Sequence, residues 1–462
     1  MIKRLLKNNI LLSISSLISL FINIVTIPVI TRVYSPADIG LFASLQILAT
    51  VLFPIFGMRM EIIFAQNIKI SELKILFSTT AIIGIFLAIF SSIILFLTAN
   101  YVNQPFLIDY LMWILFLAIF LVYFEFGIGI LNRLQLYKLI AIFSVLNIAS
   151  QRILQIIFGI FISDKTLAIF LSYCIPSLII AIIMFLIFNK KINLLNNLEF
   201  SFKTIQKYSR HIFYRISYSL SNLFKSRFII ILIITFFSAQ YAGLYSQAMG
   251  LLLIPVAVFS NPLKTIITRE YSHNKNDTVK MIIIIYNILI FILLPLYIFL
   301  FFQSSFLFPL LFGSDWSGLS GVFNILLIPM FILIFSTSLD RLYDILQMQK
   351  YAFLFELLFG LLSFAAFFVL SLNGYNFLEA LKMNALILGV FFSIFIFFIL
   401  NKANILHHFI KTLAYFIIQV FFCLFLFFFF KNSLIYSFFF LGFILLFGVI
   451  FVKNDLQKTL AL

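Results

Sequence analysis

Between Lys7 and Arg32 the chain runs through 24 residues without a charged side chain, and between Lys74 and Asp109 through 34. About 20 apolar residues in a helix cross the hydrocarbon of a bilayer. Continuous runs of this length are helical signals, since barrel strands alternate apolar and polar residues. Such runs predict fourteen membrane spans, near 9–30, 39–60, 75–98, 108–130, 139–162, 166–188, 212–236, 241–262, 280–301, 321–339, 352–371, 377–400, 409–430 and 433–452. With 64% hydrophobic and 10% charged residues and a mean hydropathy of +1.19, no water-soluble fold could bury the apolar surface. A soluble enzyme, a nucleic-acid-binding module and a disordered scaffold are excluded. The expected fold class is an all-α integral membrane protein.

The 31 basic residues give orientation. With the N-terminus placed in the cytoplasm, 23 fall in cytoplasmic segments and three outside, namely Arg32, Lys165 and Lys431. The remaining five, Arg152, Arg215, Lys225, Arg227 and Lys382, lie within spans. Positive charge favours the inside, so a multi-pass membrane protein with both termini cytoplasmic is expected. The basic start, Met1 to Lys7, leads into a run that lacks a small-residue cleavage site, so it reads as a retained first span. Cys174 and Cys423 sit inside apolar runs and read as buried hydrophobes. The longest loops, Asn189 to Arg210 inside and Phe302 to Ser320 outside, are too short to house a domain. Gly313-Ser314-Asp315-Trp316 in the latter reads as a turn with an interfacial tryptophan. His407 and His408 read as solvated loop residues. The chain contains no phosphate-binding glycine loop, HExxH or CxxC motif, which excludes ATP hydrolysis within it. No cofactor or metal is expected.

Gly40-Leu41-Phe42-Ala43-Ser44 opens the second span, and Gly243-Leu244-Tyr245-Ser246 opens the eighth. Pro54 and Pro255 follow the two glycines by 14 and 12 residues. The offset of 203 residues lays span 7 over span 1 as a parallel repeat. Three segments follow: 1–189 with spans 1–6, 190–404 with spans 7–12, and 405–462 with spans 13, 14 and a cytoplasmic tail. The run Thr31-Arg32-Val33-Tyr34-Ser35-Pro36-Ala37-Asp38-Ile39-Gly40-Leu41-Phe42 resembles the first-loop motif of bacterial polysaccharide (O-antigen, Wzx-type) flippases. Ala242-Gly243-Leu244-Tyr245-Ser246, followed by Leu253-Ile254-Pro255, resembles the matching motif at the start of their second half. The resemblance implies the multidrug/oligosaccharidyl-lipid/polysaccharide exporter fold, with two six-helix lobes in a V around a central cavity. It also implies movement of an undecaprenyl-diphosphate-linked oligosaccharide from the inner to the outer leaflet, with no enzymatic activity. Membrane lipids, a glycan polymerase and a chain-length regulator are the implied partners, and nucleic acid is not one.

Moving such a lipid calls for cations for the diphosphate and hydroxyl or amide groups for sugar. Charges within the membrane are costly and read as functional by default. Arg152 lies mid-span, with Ser144, Asn147, Gln151 and Gln155 at helical spacing beside it. In span 7, Tyr214, Arg215, Ser217, Tyr218, Ser219, Ser221, Asn222, Lys225, Ser226 and Arg227 make the cytoplasmic half polar. Arg152, Lys225, Arg227 and Arg215 are therefore the candidate substrate-binding cations. Ser16, Ser19, Asn23 and Thr26 form a stripe on span 1, and with Asn147, Gln151, Gln155, Ser219 and Asn222 make a candidate polar lining. The same stripes also fit helix-to-helix clamps. Glu125, the one acidic group well inside a span, is a candidate gate partner of Arg215 or a coupling carboxylate. Arg32 with Asp38, and the pair Arg59 and Glu61, are further candidates for a gate or for capping the hairpin ends. Energy would come from the membrane potential, H+ or Na+. Two other readings stand beside this one. A cation-coupled multidrug exporter of the same fold would want several buried carboxylates. A membrane glycan polymerase or ligase would want a large outer loop rich in catalytic cations.

Overall fold

The computed structural model describes residues 2–66, 68–101, 108–193, 199–260, 263, 275–346, 348–403 and isolated positions between 406 and 442. Spans 13 and 14 as elements, with His407, His408, Lys411, Cys423 and Lys431, lie outside the described residues, and so do the side chains of Asn222, Lys225 and Ser226. Two compact units divide the chain, Met1–Gly243 and Leu244–Leu462.

The first unit holds α1 (Ile2–Val33), α2 (Pro36–Gly57), the short α3 (Glu61–Phe64), α4 (Ile70–Tyr101), α5 (Leu111–Arg133), α6 (Tyr137–Phe161), α7 (Lys165–Ile192), the short α8 (Phe202–Lys207), α9 (Ser209–Phe236) and the first turn of α10 (Ala239–Pro255). The second holds the rest of α10, α11 (Lys275–Phe312), α12 (Leu319–Ser338), α13 (Asp340–Ile345), α14 (Gln349–Leu372) and α15 (Phe377–Lys402). Among the described residues eleven helices are long and apolar enough to cross a membrane, and they fall on expected spans 1–6 and 8–12. The second of them stops at Gly57. Span 7 is carried by α9, whose turns before Arg227 hold ten polar or charged positions, tyrosines aside, ahead of the apolar stretch Arg227–Phe236.

Local chemistry sets the helix ends. Ser35 caps α2, accepting from the Asp38 N–H at 3.3 Å while Asp38 accepts from the Ser35 N–H at 2.9 Å, and Pro36 fills the first turn, where no amide donor is needed. Asp38 of the first-loop motif is thus a cap. Ser238 opens α10 in the same manner, accepting from the Tyr241 N–H at 3.3 Å. Past Pro255 the chain continues as a π-helical turn, Val256–Ser260, where the buried Ser260 hydroxyl donates to the Ile334 carbonyl at 2.8 Å.

In the first unit, α1 packs on α6, α6 on α7, and α5 on α2 and α7, around a core that includes Phe42, Phe64, Phe126 and Phe170. Much of α4 is exposed apolar surface, Phe86, Ile89, Phe90 and Ile93 among it, as a lipid-facing helix requires. In the second unit, α12 packs against α11 and α15, and α15 against α14. One expectation is corrected here. Gly313, at φ 100°, makes the predicted turn, but Trp316 is fully buried and is no interfacial anchor. The tight turn folds the indole back onto its own unit.

Candidate functional site

Arg152 sits in the body of α6, half-buried, and its guanidinium is held from two helices. Its Nε donates to Asn23 Oδ1 of α1 at 2.7 Å and its Nη1 to Gln155 Oε1, one turn along, at 2.8 Å. The buried Tyr34 hydroxyl donates to the Gln155 carbonyl at 2.6 Å, fixing α1 against that turn. Close approach is possible because Gly159 carries no side chain. A β-carbon there would stand 2.5 Å from Val33 Cγ1 and 2.6 Å from the Tyr34 hydroxyl oxygen. Deeper in the same face, Gln151 donates to Asn147 Oδ1 at 3.2 Å, and the buried Ser177 hydroxyl of α7 donates to the same oxygen at 3.4 Å. The structure therefore gathers Asn23, Asn147, Gln151, Arg152 and Gln155 into one polar seam through α1, α6 and α7. A charge-assisted bond to a neutral amide leaves the positive charge of Arg152 unneutralised. No acidic side chain pairs with it among the described residues.

The α1 stripe divides. Ser16 is exposed and donates to its own helix at the Leu12 carbonyl, 3.0 Å away; Ser19 is buried; Thr26 bonds back to the Ile22 carbonyl at 2.8 Å. Such back-bonding satisfies a hydroxyl without a neighbour. Only Asn23 of the stripe reaches Arg152.

On α9, Tyr214, Arg215, Ser217, Tyr218, Ser221 and Arg227 are exposed, while Ser219 is half-buried. Arg227 lies about 27 Å along the helix from Ser209 at ~1.5 Å per residue. That is too far to reach a membrane surface at the polar end. A helix so polar in its exposed turns is unsuited to rest against hydrocarbon.

A third group forms where α2 turns into α3. Met58 and Arg59 both take left-handed backbone, with φ of 49° and 55°, a costly choice for two residues other than glycine. The turn brings Arg59 Nη1 to Glu61 Oε1 at 3.1 Å and lays the guanidinium over the Phe53 ring, 5.5 Å from its centre. Arg59 Nε and Glu61 Oε2 are buried without a hydrogen-bond partner among the described residues. Burial pushes the Glu61 carboxyl up, against the opposing pull of Arg59 and, more weakly, Arg215. Gly129 of α5 admits this turn, since a β-carbon there would lie 2.5 Å from the Glu61 carbonyl oxygen. The charges that act on Glu125 are Glu61 and Arg59. Arg215, the expected partner of Glu125, acts instead on Glu61 and on His211, whose Nε2 is also buried without a partner among the described residues. His211 drew no notice in the sequence because a single histidine before a span has no spacing to mark it. Arg32 and Lys382 are exposed, the latter on α15 of the second unit. Among the described residues no three His, Cys, Asp or Glu side chains gather as metal ligands.

Comparison with solved structures places the fold. The lipid II flippase MurJ, in an inward closed conformation, superposes with a TM-score of 0.72 at 13% identity, covering 98% of this chain and 100% of its own. An inward-facing multidrug resistance MATE family transporter of the MOP superfamily gives 0.59 at 13% identity, over 84% of this chain and 96% of its own. A MOP superfamily transporter from Pyrococcus furiosus gives 0.54 at 13% identity, over 87% and 96%. No curated protein matches in sequence. Eleven apolar helices of spanning length among the described residues, in a fold of this kind, make this a multi-pass membrane protein. The family model for polysaccharide biosynthesis proteins matches residues 29–321, and the chain belongs to that family. Both loop motifs that carried the resemblance lie within the matched segment, and the resemblance is borne out.

Proposed function

We propose that this chain is a flippase for surface-polysaccharide precursors of the O-antigen kind. It moves an oligosaccharide linked through diphosphate to undecaprenol from the inner to the outer leaflet of the bacterial cytoplasmic membrane. The observation that carries the reading is the exposed cationic and hydroxyl-bearing surface of α9, in a chain whose other spans are apolar. Arg215 and Arg227 supply positive charge for a diphosphate, and serine and tyrosine hydroxyls supply hydrogen bonds for sugar. Arg152, positive and bound only to amides, adds a second cationic point, and Lys225 belongs to the same helix as the exposed arginines. The family match supports the cargo class, and the fold supports transport.

Spans 1–6 and 7–12 act as the two lobes of an alternating-access cycle, with both termini cytoplasmic. The membrane potential or a gradient of H+ or Na+ supplies energy, and Glu125, beside Arg59 and Glu61, is the acidic group best placed to respond to it. A glycan polymerase and a chain-length regulator would receive the product.

The test is the leaflet distribution of undecaprenyl-diphosphate oligosaccharide in vesicles from cells with and without the protein. A complete unit stranded on the cytoplasmic face without it is expected. An unchanged lipid pool would favour a multidrug exporter, and a unit stranded on the outer face would favour a polymerase or ligase.

A further inference from the structure

Residues 199–208, which lead from the α7 side into α9, are fastened to α4 by four contacts. Asn193 ends α7 with a φ of 48°. The Ser78 hydroxyl of α4 donates to the Glu199 carbonyl at 2.6 Å, and the Ser201 N–H donates to Thr79 Oγ1 at 3.1 Å. Lys207 pairs with Glu72 at 2.6 Å, and the Tyr208 hydroxyl donates to the same carboxylate at 3.0 Å. These bonds tie α8 to the first turns of α4.

Pinned in this way, the segment sorts its side chains by face. At helical spacing Ile205, Tyr208 and Ile212 share one side, and all three belong to the first unit's core or pack against it. Lys203, Lys207 and Arg210 share the opposite side and are exposed. Phe202 and Phe213 run along the flank between them, preceded by Phe200, and they are 65%, 68% and 56% exposed. Lys190 and Lys191, at the end of α7, are exposed as well. From 190 to 210 the segment carries five cations against Glu199 alone.

Exposed phenylalanines bordering a basic ridge, within a few residues of a membrane-spanning helix, are suited to the bilayer interface. The rings enter the acyl boundary and the cations reach phosphate oxygens. Charge complementarity selects acidic lipid over zwitterionic lipid. We propose that Lys190 and Lys191 together with residues 199–213 form a binding strip for anionic phospholipid headgroups, which seats the ends of α4, α7 and α9 on the membrane surface. The proposal rests on the spanning helices and not on the transported substrate, so it is independent of the flippase reading.

The experiment uses the full-length protein with Gln206→Cys as a nitroxide site, in a Cys174→Ala, Cys423→Ala background, reconstituted in vesicles. In phosphatidylcholine with added phosphatidylglycerol the label should be reached by oxygen and shielded from a water-soluble nickel relaxant. In phosphatidylcholine alone the balance should shift toward the nickel reagent. Lys190→Gln, Lys191→Gln, Lys203→Gln and Arg210→Gln leave the Lys207–Glu72 pair intact. Each should weaken the preference for the anionic vesicles about fivefold, the equivalent of about 1 kcal/mol per basic residue. Phe200→Ser with Phe202→Ser should raise the label toward water in both lipids. A label equally wet in both lipids, or a lipid preference unchanged after loss of all four cations in protein that remains monodisperse and helical, overturns the proposal.

Discussion

Arg152 shows how a single side chain can hold a helix pair together and stay available to cargo. Two amides take two of its five N–H donors without cancelling its charge, so an anion nearby still feels a cation. Arg152→Ala should reduce glycan display at normal protein level by about ten- to a hundredfold, on the scale of ~1.5–3 kcal/mol for a hydrogen bond to a charged group. Arg152→Gln, which can still bond Asn23, should restore stability but not transport; recovery of both would make the residue a clamp. Glu61 is informative in another way. Its carboxyl titrates above the ordinary range because it is buried. Its contribution to stability is therefore full below the ordinary carboxylate value and is lost as pH rises through the raised one. Glu61→Gln, neutral throughout, should flatten thermal stability across that mildly acidic window. An unchanged slope would show that Glu61 ionises without cost.

At the level of elements, close approach decides what meets what. Gly129 lets α3 lie on α5, which carries Glu61 and Arg59 to Glu125. Gly129→Ala forces a β-carbon against the Glu61 carbonyl and should destabilise the protein by about 1–3 kcal/mol, the usual cost of overpacking. A denaturation midpoint equal to that of the parent would mean that α3 yields freely. The elements themselves were legible in the sequence: eleven spans announced by long apolar runs appear at their expected places among the described residues. The polar stripes on α1 and α6 were legible too, as residues at helical spacing. Their union through Asn23 and Arg152 was not, since periodicity orients a face without naming its neighbour. Glu125 was matched to Arg215 on depth alone. The left-handed pair Met58–Arg59, which no local propensity favours, brings a different arginine within electrostatic range of it. Trp316 misled for a related reason, because the Gly313 turn that exposes most loop residues here folds an indole inward.

Over the whole molecule, the sequence echo between the two halves reappears as matching structure at two helix starts. Ser35 caps α2 and Ser238 caps α10; five residues later come Gly40 and Gly243; two further on, Phe42 and Tyr245 are both buried. Within the first unit those two glycines face one another. A β-carbon on Gly40 would strike the Ala239 carbonyl oxygen, and one on Gly243 the Pro36 carbonyl oxygen. Each glycine is thus the clearance the other requires, and the two positions form a single locus spread over two codons. Gly40→Ala and Gly243→Ala should each lower the unfolding midpoint. Once one has pried the helix starts apart, the other should add little, so the double variant should resemble the worse single. Strict additivity would show two separate contacts. A larger side chain at either glycine is thereby felt at both helix starts, so the two copies of the motif answer to one shared clearance.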